Sequence, residues 1–242
     1  MSNHDTGWRR FGATLLWVAV VLAGAIGAWA QENAAEQKVA AIKQSLQQSM
    51  AALRSYEWVE TVTVSHNGEE KSRKESRCYY GADGTQEKVP IGDSSAGHKK
   101  HHGLRGRIEK KKTEEMEEYV HAALALVKQY VPPDPARMQA IKDQGVQRIE
   151  VLDNASRLRA EFPGFLKKGD LLSVDVDPNA NRILGVAVSS YLEDDPEDAV
   201  TLNVTFGTFQ DGTSYPAKIE LDCQSKKLEI VIENHGYHKS GS

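Results

Sequence analysis

The 242-residue chain carries 30 lysines and arginines against 34 aspartates and glutamates, a formal net charge of −4 with neutral histidines. This balance argues against a nucleic-acid-binding protein, because affinity for phosphates depends on a cationic surface. The length suffices for one domain with a sizeable hydrophobic core.

The first thirty residues have the order of features of a Sec-type signal peptide. Trp8-Arg9-Arg10 supplies a positive n-region, an apolar segment covers 13–29, and Ala28-Trp29-Ala30 matches an A-x-A cleavage site. An uncleaved anchor is the alternative, although the apolar stretch is short for a membrane span and interrupted by glycines. We therefore expect cleavage near Ala30, a periplasmic or secreted location, and a single domain over residues 31–242.

The front of this domain is predicted to be one helix followed by a three-strand meander. Residues 34–54 have apolar side chains at steps of three and four, the spacing of an amphipathic helix. Apolar residues then alternate from Tyr56 and Trp58 onward, which suits a half-buried strand. Asn67-Gly68 and Asp83-Gly84 are hairpin signals, because tight turns need residues that tolerate positive φ.

A basic, glycine- and histidine-rich loop is predicted at about 92–112. The spacing of His98 with His101 or His102 makes these three residues weak candidates for binding Zn²⁺ or Cu²⁺. The adjacent lysines would repel a cation, and no nearby cysteine or carboxylate pattern supplies further ligands. We therefore predict a solvated loop without a metal or cofactor, with contact to an anionic lipid headgroup as the alternative.

Two helices are predicted after this loop. Thr113 suits an N-cap, apolar residues recur at helical spacing over 116–131, and Pro132-Pro133 would stop the first helix. Asp134-Pro135 would start a short second helix that ends before Gly145.

From Val146 onward the pattern is strand and turn. Seven strand-like segments are separated by turn formers such as Asp177-Pro178-Asn179 and Asp211-Gly212. Their spacing is too short for crossover helices, so the strands should pair antiparallel. The prediction is an α+β domain of about ten strands and three helices, built on one curled sheet.

The order of elements, together with residues 178–221, resembles the LolA-type family of periplasmic lipoprotein carriers. That resemblance implies a strongly curved antiparallel half-barrel, with the N-terminal helix and the two mid-chain helices covering its concave face. It also implies a hydrophobic cavity that holds a lipid or lipid-modified chain without catalysis. The positions that carry the resemblance are Phe206, Phe209, Asp211, Gly212, Tyr215, Pro216, Lys218 and Ile219.

An apolar cavity beneath such helices would suit a hydrophobic ligand such as a lipid or acyl chain, bound by a monomer. The alternative is that helix side chains fill the concavity and form an ordinary core. The protein would then be a periplasmic interaction or structural module that acts through its surface loops. The candidate cavity residues are Tyr56, Trp58, Val62 and Val64 on the sheet, with Leu124 and Val127 on the lid.

The segment FPGFLKKGD, residues 162–170, is a candidate membrane or partner loop. Phe162, Phe165 and Leu166 surround a Pro-Gly turn beside two lysines, a combination that could touch a membrane surface if it is exposed. The favoured alternative is that both phenylalanines tuck under the sheet edge, because exposed large apolar side chains are the exception.

Cysteine chemistry and catalysis are the remaining questions. An oxidising compartment would permit a disulfide between Cys78 and Cys223, and two buried free thiols are the equal alternative.

The sequence has no nucleophile elbow, no H-E-x-x-H and no phosphate loop, and the acids at 193–198 resemble a solvated turn. We therefore do not expect an enzyme.

Overall fold

The computed structural model describes residues 29–92, 104–130, 134–153, 156–192 and 195–240. The signal peptide before residue 29 lies outside these residues, and so do the candidate metal ligands His98, His101 and His102. Both remain predictions. Within the described ranges, no helix is long and apolar enough to cross a membrane.

Three α-helices, ten strands and one short 3-10 helix, Gln224–Lys226, make up the regular structure of the described residues. The helices are α1 (Trp29–Leu53), α2 (Leu104–Val127) and α3 (Pro135–Asp143). The strands are β1 (Tyr56–His66), β2 (Glu69–Tyr80), β3 (Gln86–Ile91), β4 (Arg148–Leu152), β5 (Arg157–Pro163), β6 (Leu171–Asp177), β7 (Arg182–Tyr191), β8 (Ala199–Thr208), β9 (Ser214–Cys223) and β10 (Leu228–Lys239).

All ten strands form one sheet in the order β3-β2-β1-β10-β9-β8-β7-β6-β5-β4. Every neighbouring pair is antiparallel, and β10 joins the meander β1–β3 to the meander β4–β9. Strands β3 and β4 are the two edges and do not pair, so the sheet is open, as in a half-barrel. The predicted α+β fold, with about ten antiparallel strands and three helices, is confirmed.

The turn chemistry explains how the first meander forms. Asn67 and Gly68 connect β1 to β2 with φ values of 55° and 77°, the left-handed pair that a two-residue hairpin turn requires. Gly84, with φ of 75°, lies in the turn between β2 and β3. Both predicted hairpins are present.

The start of α2 corrects the predicted loop. The helix begins at Leu104, so residues 104–112 are helical and Thr113 lies inside the helix rather than at its N-cap. Arginine, lysine, glutamate and leucine are strong helix formers, and they outweigh the single interior glycine, Gly106. The prediction gave too much weight to glycine and to charge density.

The concave face of the sheet carries two continuous aliphatic rows. Register places each member beside the next on a neighbouring strand, about 4.7–4.9 Å away. The first row consists of Val62, Ile232, Ile219, Val204, Val186, Val174, Ala160 and Ile149. The second consists of Val64, Ile230, Leu221, Leu202, Val188 and Leu172, and it ends in the aromatic Phe162. Helices α1, α2 and α3 pack on these rows through Ile42, Leu46, Ala123, Leu124, Val127, Met138 and Ile141.

Candidate functional site: a cavity on the concave face

A cavity lies between α1 and the half of the sheet that ends at β3. The cavity accommodates the centre of a water-sized molecule over about 50 Å³ and opens to solvent at its mouth. Leu46, Met50 and Leu53 form its α1 side, and Ile219 and Ile232 of the first aliphatic row form part of its floor.

A second, smaller cavity lies between α2 and the same sheet. It accommodates the centre of a water-sized molecule over about 10 Å³, and the side chains that line it are all aliphatic. Leu124 and Val127 come from α2, while Ile219 and Ile232 line this cavity as well as the first. Both isoleucines therefore border the two spaces, and the helices leave some space above the concave face.

Aromatic rings form one wall of the larger cavity. Trp58 stacks on Tyr237 with ring centroids 5.5 Å apart and contacts Tyr80 at 5.7 Å. Burial raises the pKa of the Tyr237 hydroxyl well above its usual range, and it also raises that of Tyr80. The stack continues beyond the cavity through Tyr215, Phe209 and Tyr56.

A buried ion pair lies in the cavity lining beside this wall. The Lys88 ammonium nitrogen is 2.6 Å and 2.7 Å from the two carboxylate oxygens of Glu60. Nearby, Trp58 Nε1 donates to Asn234 Oδ1 at 3.1 Å, and the Asn234 amide donates to the Pro216 carbonyl at 3.0 Å. These contacts leave the polar end of the cavity electrically balanced and largely hydrogen-bonded.

Gln86 is the exception at this end. Its side chain is 3% exposed, and its amide oxygen has no hydrogen-bond partner within the described residues. A buried acceptor without a partner destabilises a fold by about 1–3 kcal/mol, so this oxygen is a natural contact point for a ligand.

The predicted cavity residues divide into two groups. Trp58 lines the larger cavity, and Leu124 and Val127 line the smaller one. Val62 and Val64 are half-buried against the core and line neither space. Tyr56 also lies outside both linings, because its ring stacks on Phe209 and its hydroxyl donates to Asp211 at 3.4 Å.

Sequence reasoning missed the polar lining residues. Glu60 is two residues after Trp58 and shares its inward face, so a charge in the alternating pattern of β1 was a usable signal. Gln86, Asn234 and Tyr237 gave no such signal, because they join the cavity only through the pairing of β2 with β3 and of β1 with β10.

The FPGFLKKGD segment is folded inward, which corrects the membrane- or partner-loop interpretation of its phenylalanines. Phe162 and Phe165 are 0% and 2% exposed, and Leu166 is half-buried. The cause is Asp170, whose carboxylate accepts hydrogen bonds from the backbone N–H groups of Leu166 and Lys167 at 2.8 Å and 2.9 Å. Tyr130 also donates to this carboxylate, so the loop closes around a buried acid.

Both cysteines are buried free thiols, and the sheet register keeps them apart. Cys78 lies opposite Trp58, whereas Cys223 lies opposite Leu228, which pairs with His66. Eight residues along β1 correspond to about 26 Å, far beyond disulfide reach. Burial raises the pKa of each thiol to about 12.

Helix α2 is fastened to the sheet by a polar contact at its middle. The Tyr119 hydroxyl donates to Asp198, which also accepts from the Ser225 hydroxyl. The Lys226 ammonium lies 5.3 Å from the centre of the Tyr119 ring. This cluster holds the helix that roofs the smaller cavity.

Within the part of the chain that the structure describes, no group of three or more His, Cys, Asp or Glu side chains could hold a metal ion.

Comparison with known proteins gives only distant likenesses. No family model and no curated protein matches the chain. A DUF1329 family protein from Desulfovibrio piger is similar at 9% identity and a TM-score of 0.36, over 84% of this chain and 93% of that one. A LolA superfamily protein from Nitrosomonas europaea is similar at 12% identity and a TM-score of 0.33, over 82% of this chain and 94% of that one. The second structure is described as a member of the superfamily that residues 178–221 resemble.

Proposed function

We propose that this protein is an exported, non-catalytic carrier that holds a lipid or acyl chain between its helices and the concave face of its sheet. The observation that carries the proposal is the pair of cavities beneath α1 and α2 that share Ile219 and Ile232 in their linings, the smaller of them lined only by aliphatic side chains. An uninterrupted aliphatic floor with space above it suits a long hydrocarbon chain. Residues 1–30 would direct export and would be removed in the course of it, and the carrier would act as a monomer.

The energetics of chain burial are sufficient for useful affinity. Each buried methylene contributes roughly 0.8 kcal/mol. About ten methylenes would supply about 8 kcal/mol, which corresponds to micromolar binding before entropic losses. Binding of this kind needs no nucleophile, acid or metal.

Trp58 provides a direct test of occupancy. In the form that begins at Gln31, Trp58 is the sole tryptophan, and it lines the larger cavity. Titration with a monoacylglycerol brominated along its chain should quench this fluorescence with saturation in the micromolar range. The unbrominated lipid, as the control, should compete the quenching away. Absence of saturable quenching would contradict the proposal.

A second candidate function is that of an interaction module, favoured by the two open edges of the sheet. Val89 and Ile91 on β3 are 41% and 46% exposed, and Ile149 and Val151 on β4 are 40% and 61% exposed. Unpaired edges with apolar side chains can accept a strand from another protein. Charged replacements at Ile91 and Val151 should abolish partner capture in this case, while leaving acyl-chain binding unchanged.

A further inference from the structure

The larger cavity is polar at one end and aliphatic at the other. Glu60, Gln86 and Asn234 line it on the side of β1 to β3 and β10, whereas Ile219 and Ile232 lead away toward α2. Such a gradient matches an amphiphile, with its chain over the isoleucines and its head at the polar end. The chemistry of the polar groups then restricts which head can bind.

Gln86 determines the hydrogen-bonding character of that head. Gln86 is buried, and its amide oxygen has no hydrogen-bond partner in the part of the chain that the structure describes. A carbonyl oxygen can only accept a hydrogen bond, so it requires a donor from the ligand. An ester or a carboxylate cannot supply one.

The ion pair determines the charge of the head. Both carboxylate oxygens of Glu60 lie within 2.7 Å of the Lys88 nitrogen, and these side chains are only 9% and 13% exposed. The pair therefore adds no net charge to the cavity. A charged head would lose its hydration there without a free counter-charge, which is unfavourable.

We propose that the Gln86 end of the cavity is a head-group subsite for an uncharged hydrogen-bond donor, a hydroxyl or an amide N–H attached to an acyl chain. Trp58 and Tyr237 form its aromatic boundary with the aliphatic part. The subsite rests on the proposed function, because an acyl chain must occupy the remainder of the cavity. Free monoacylglycerol and an amide-linked acyl peptide share this chemistry and are separate arms of the test.

The first arm compares 1-monopalmitoylglycerol with methyl palmitate by titration calorimetry. The second compares an N-palmitoyl peptide with the same peptide methylated on its acyl amide nitrogen. The donor-bearing ligand should bind about tenfold more tightly in at least one arm, as expected for pairing a buried acceptor. The arm with the larger ratio identifies the source of the head group.

Gln86→Leu is the decisive variant, since it replaces the hydrogen-bond acceptor with an apolar side chain of similar size. The preference should fall to about twofold or less, while affinity for methyl palmitate stays equal or improves. Gln129→Leu, at an exposed position, is the matched control and should retain the preference. Should Gln86→Leu fail to fold, the comparison of ligand pairs on the unaltered protein still decides.

The two proposals fail in different ways. Equal affinity for the donor-bearing and donor-free ligands in both arms would overturn the head-group subsite and leave the carrier function standing. Absence of binding by all four ligands would overturn the carrier function itself.

Discussion

Glu60 and Lys88 form a two-point ion pair inside the concave face, with Nζ–O distances of 2.6 Å and 2.7 Å. Glu60 lies on β1 and Lys88 on β3, so the pair joins strands that are separated by β2. The edge strand β3 is therefore held to the sheet by this ion pair as well as by its backbone pairing with β2.

Removing one partner of this pair should be strongly destabilising. Lys88→Met leaves the Glu60 carboxylate buried without a counter-charge, and we expect the free energy of unfolding to fall by about 3–5 kcal/mol. Lys218→Met is the matched control, because the Lys218–Glu220 pair is 41% and 35% exposed and should contribute below about 1 kcal/mol. Urea unfolding measures both values, and equal losses would contradict the inward placement of Glu60.

The Tyr119 contact predicts the local stability of α2. Tyr119→Phe removes the hydrogen bond to Asp198, and we expect amide exchange in α2 to accelerate by about fivefold, equivalent to about 1 kcal/mol. Tyr79→Phe is the control. It removes a tyrosine hydrogen bond of the same kind, from Tyr79 on β2 to Glu87 on β3 at 2.9 Å, that does not involve α2. Unchanged exchange in α2 of the Tyr119 variant would show that the contact does not hold the helix.

The buried thiols predict loss of stability at alkaline pH. Burial raises the pKa of Cys78 and Cys223 from 9.0 to about 12. Between these values the folded chain retains protons that the unfolded chain has lost, so stability is full below about pH 9 and declines as pH rises toward 12. Urea unfolding at pH 8 and pH 10, under reducing conditions, should show this decline. The Cys78→Ala/Cys223→Ala double variant should show a smaller one, and an identical decline would contradict the burial argument.

Enlarging a side chain that lines both cavities should block ligand binding. Ile219→Trp places a large ring at a position that borders both spaces, and we expect at least a tenfold loss of acyl-chain affinity. Overpacking should destabilise the fold by no more than about 1–3 kcal/mol. Ile149→Trp, in the same aliphatic row but 40% exposed at the β4 edge, should bind normally. Retained affinity in the Ile219 variant would place the ligand elsewhere.

Local signals in the sequence predicted the fold well. Asn67-Gly68 predicted the first hairpin, and Asp134 predicted the start of α3, where its side chain accepts from the backbone N–H of Ala136. The strand segments after Val146 predicted an antiparallel sheet, because their connections are short. Each of these features depends on neighbouring residues and on backbone geometry alone.

The site was harder to predict because it is assembled by register. Trp58, Leu124 and Val127 were identified from periodicity, but Gln86 and Asn234 reach the cavity only through long-range strand pairing. A single polar residue in a strand does not indicate which side chains of the concave face will surround it, because these neighbours depend on strand register. The fate of the phenylalanines at 162 and 165 likewise depended on Asp170, whose hydrogen bonds form only after the loop has closed.

Native mass spectrometry of protein produced with its own leader, and purified from the exported fraction, tests the carrier function most directly. A carrier should appear as a polypeptide that starts near Gln31 and carries an adduct of lipid mass. The Ile219→Trp variant should lose this adduct. A bare polypeptide, repeatedly obtained and unable to take up added monoacylglycerol, would contradict the carrier function and favour the interaction module.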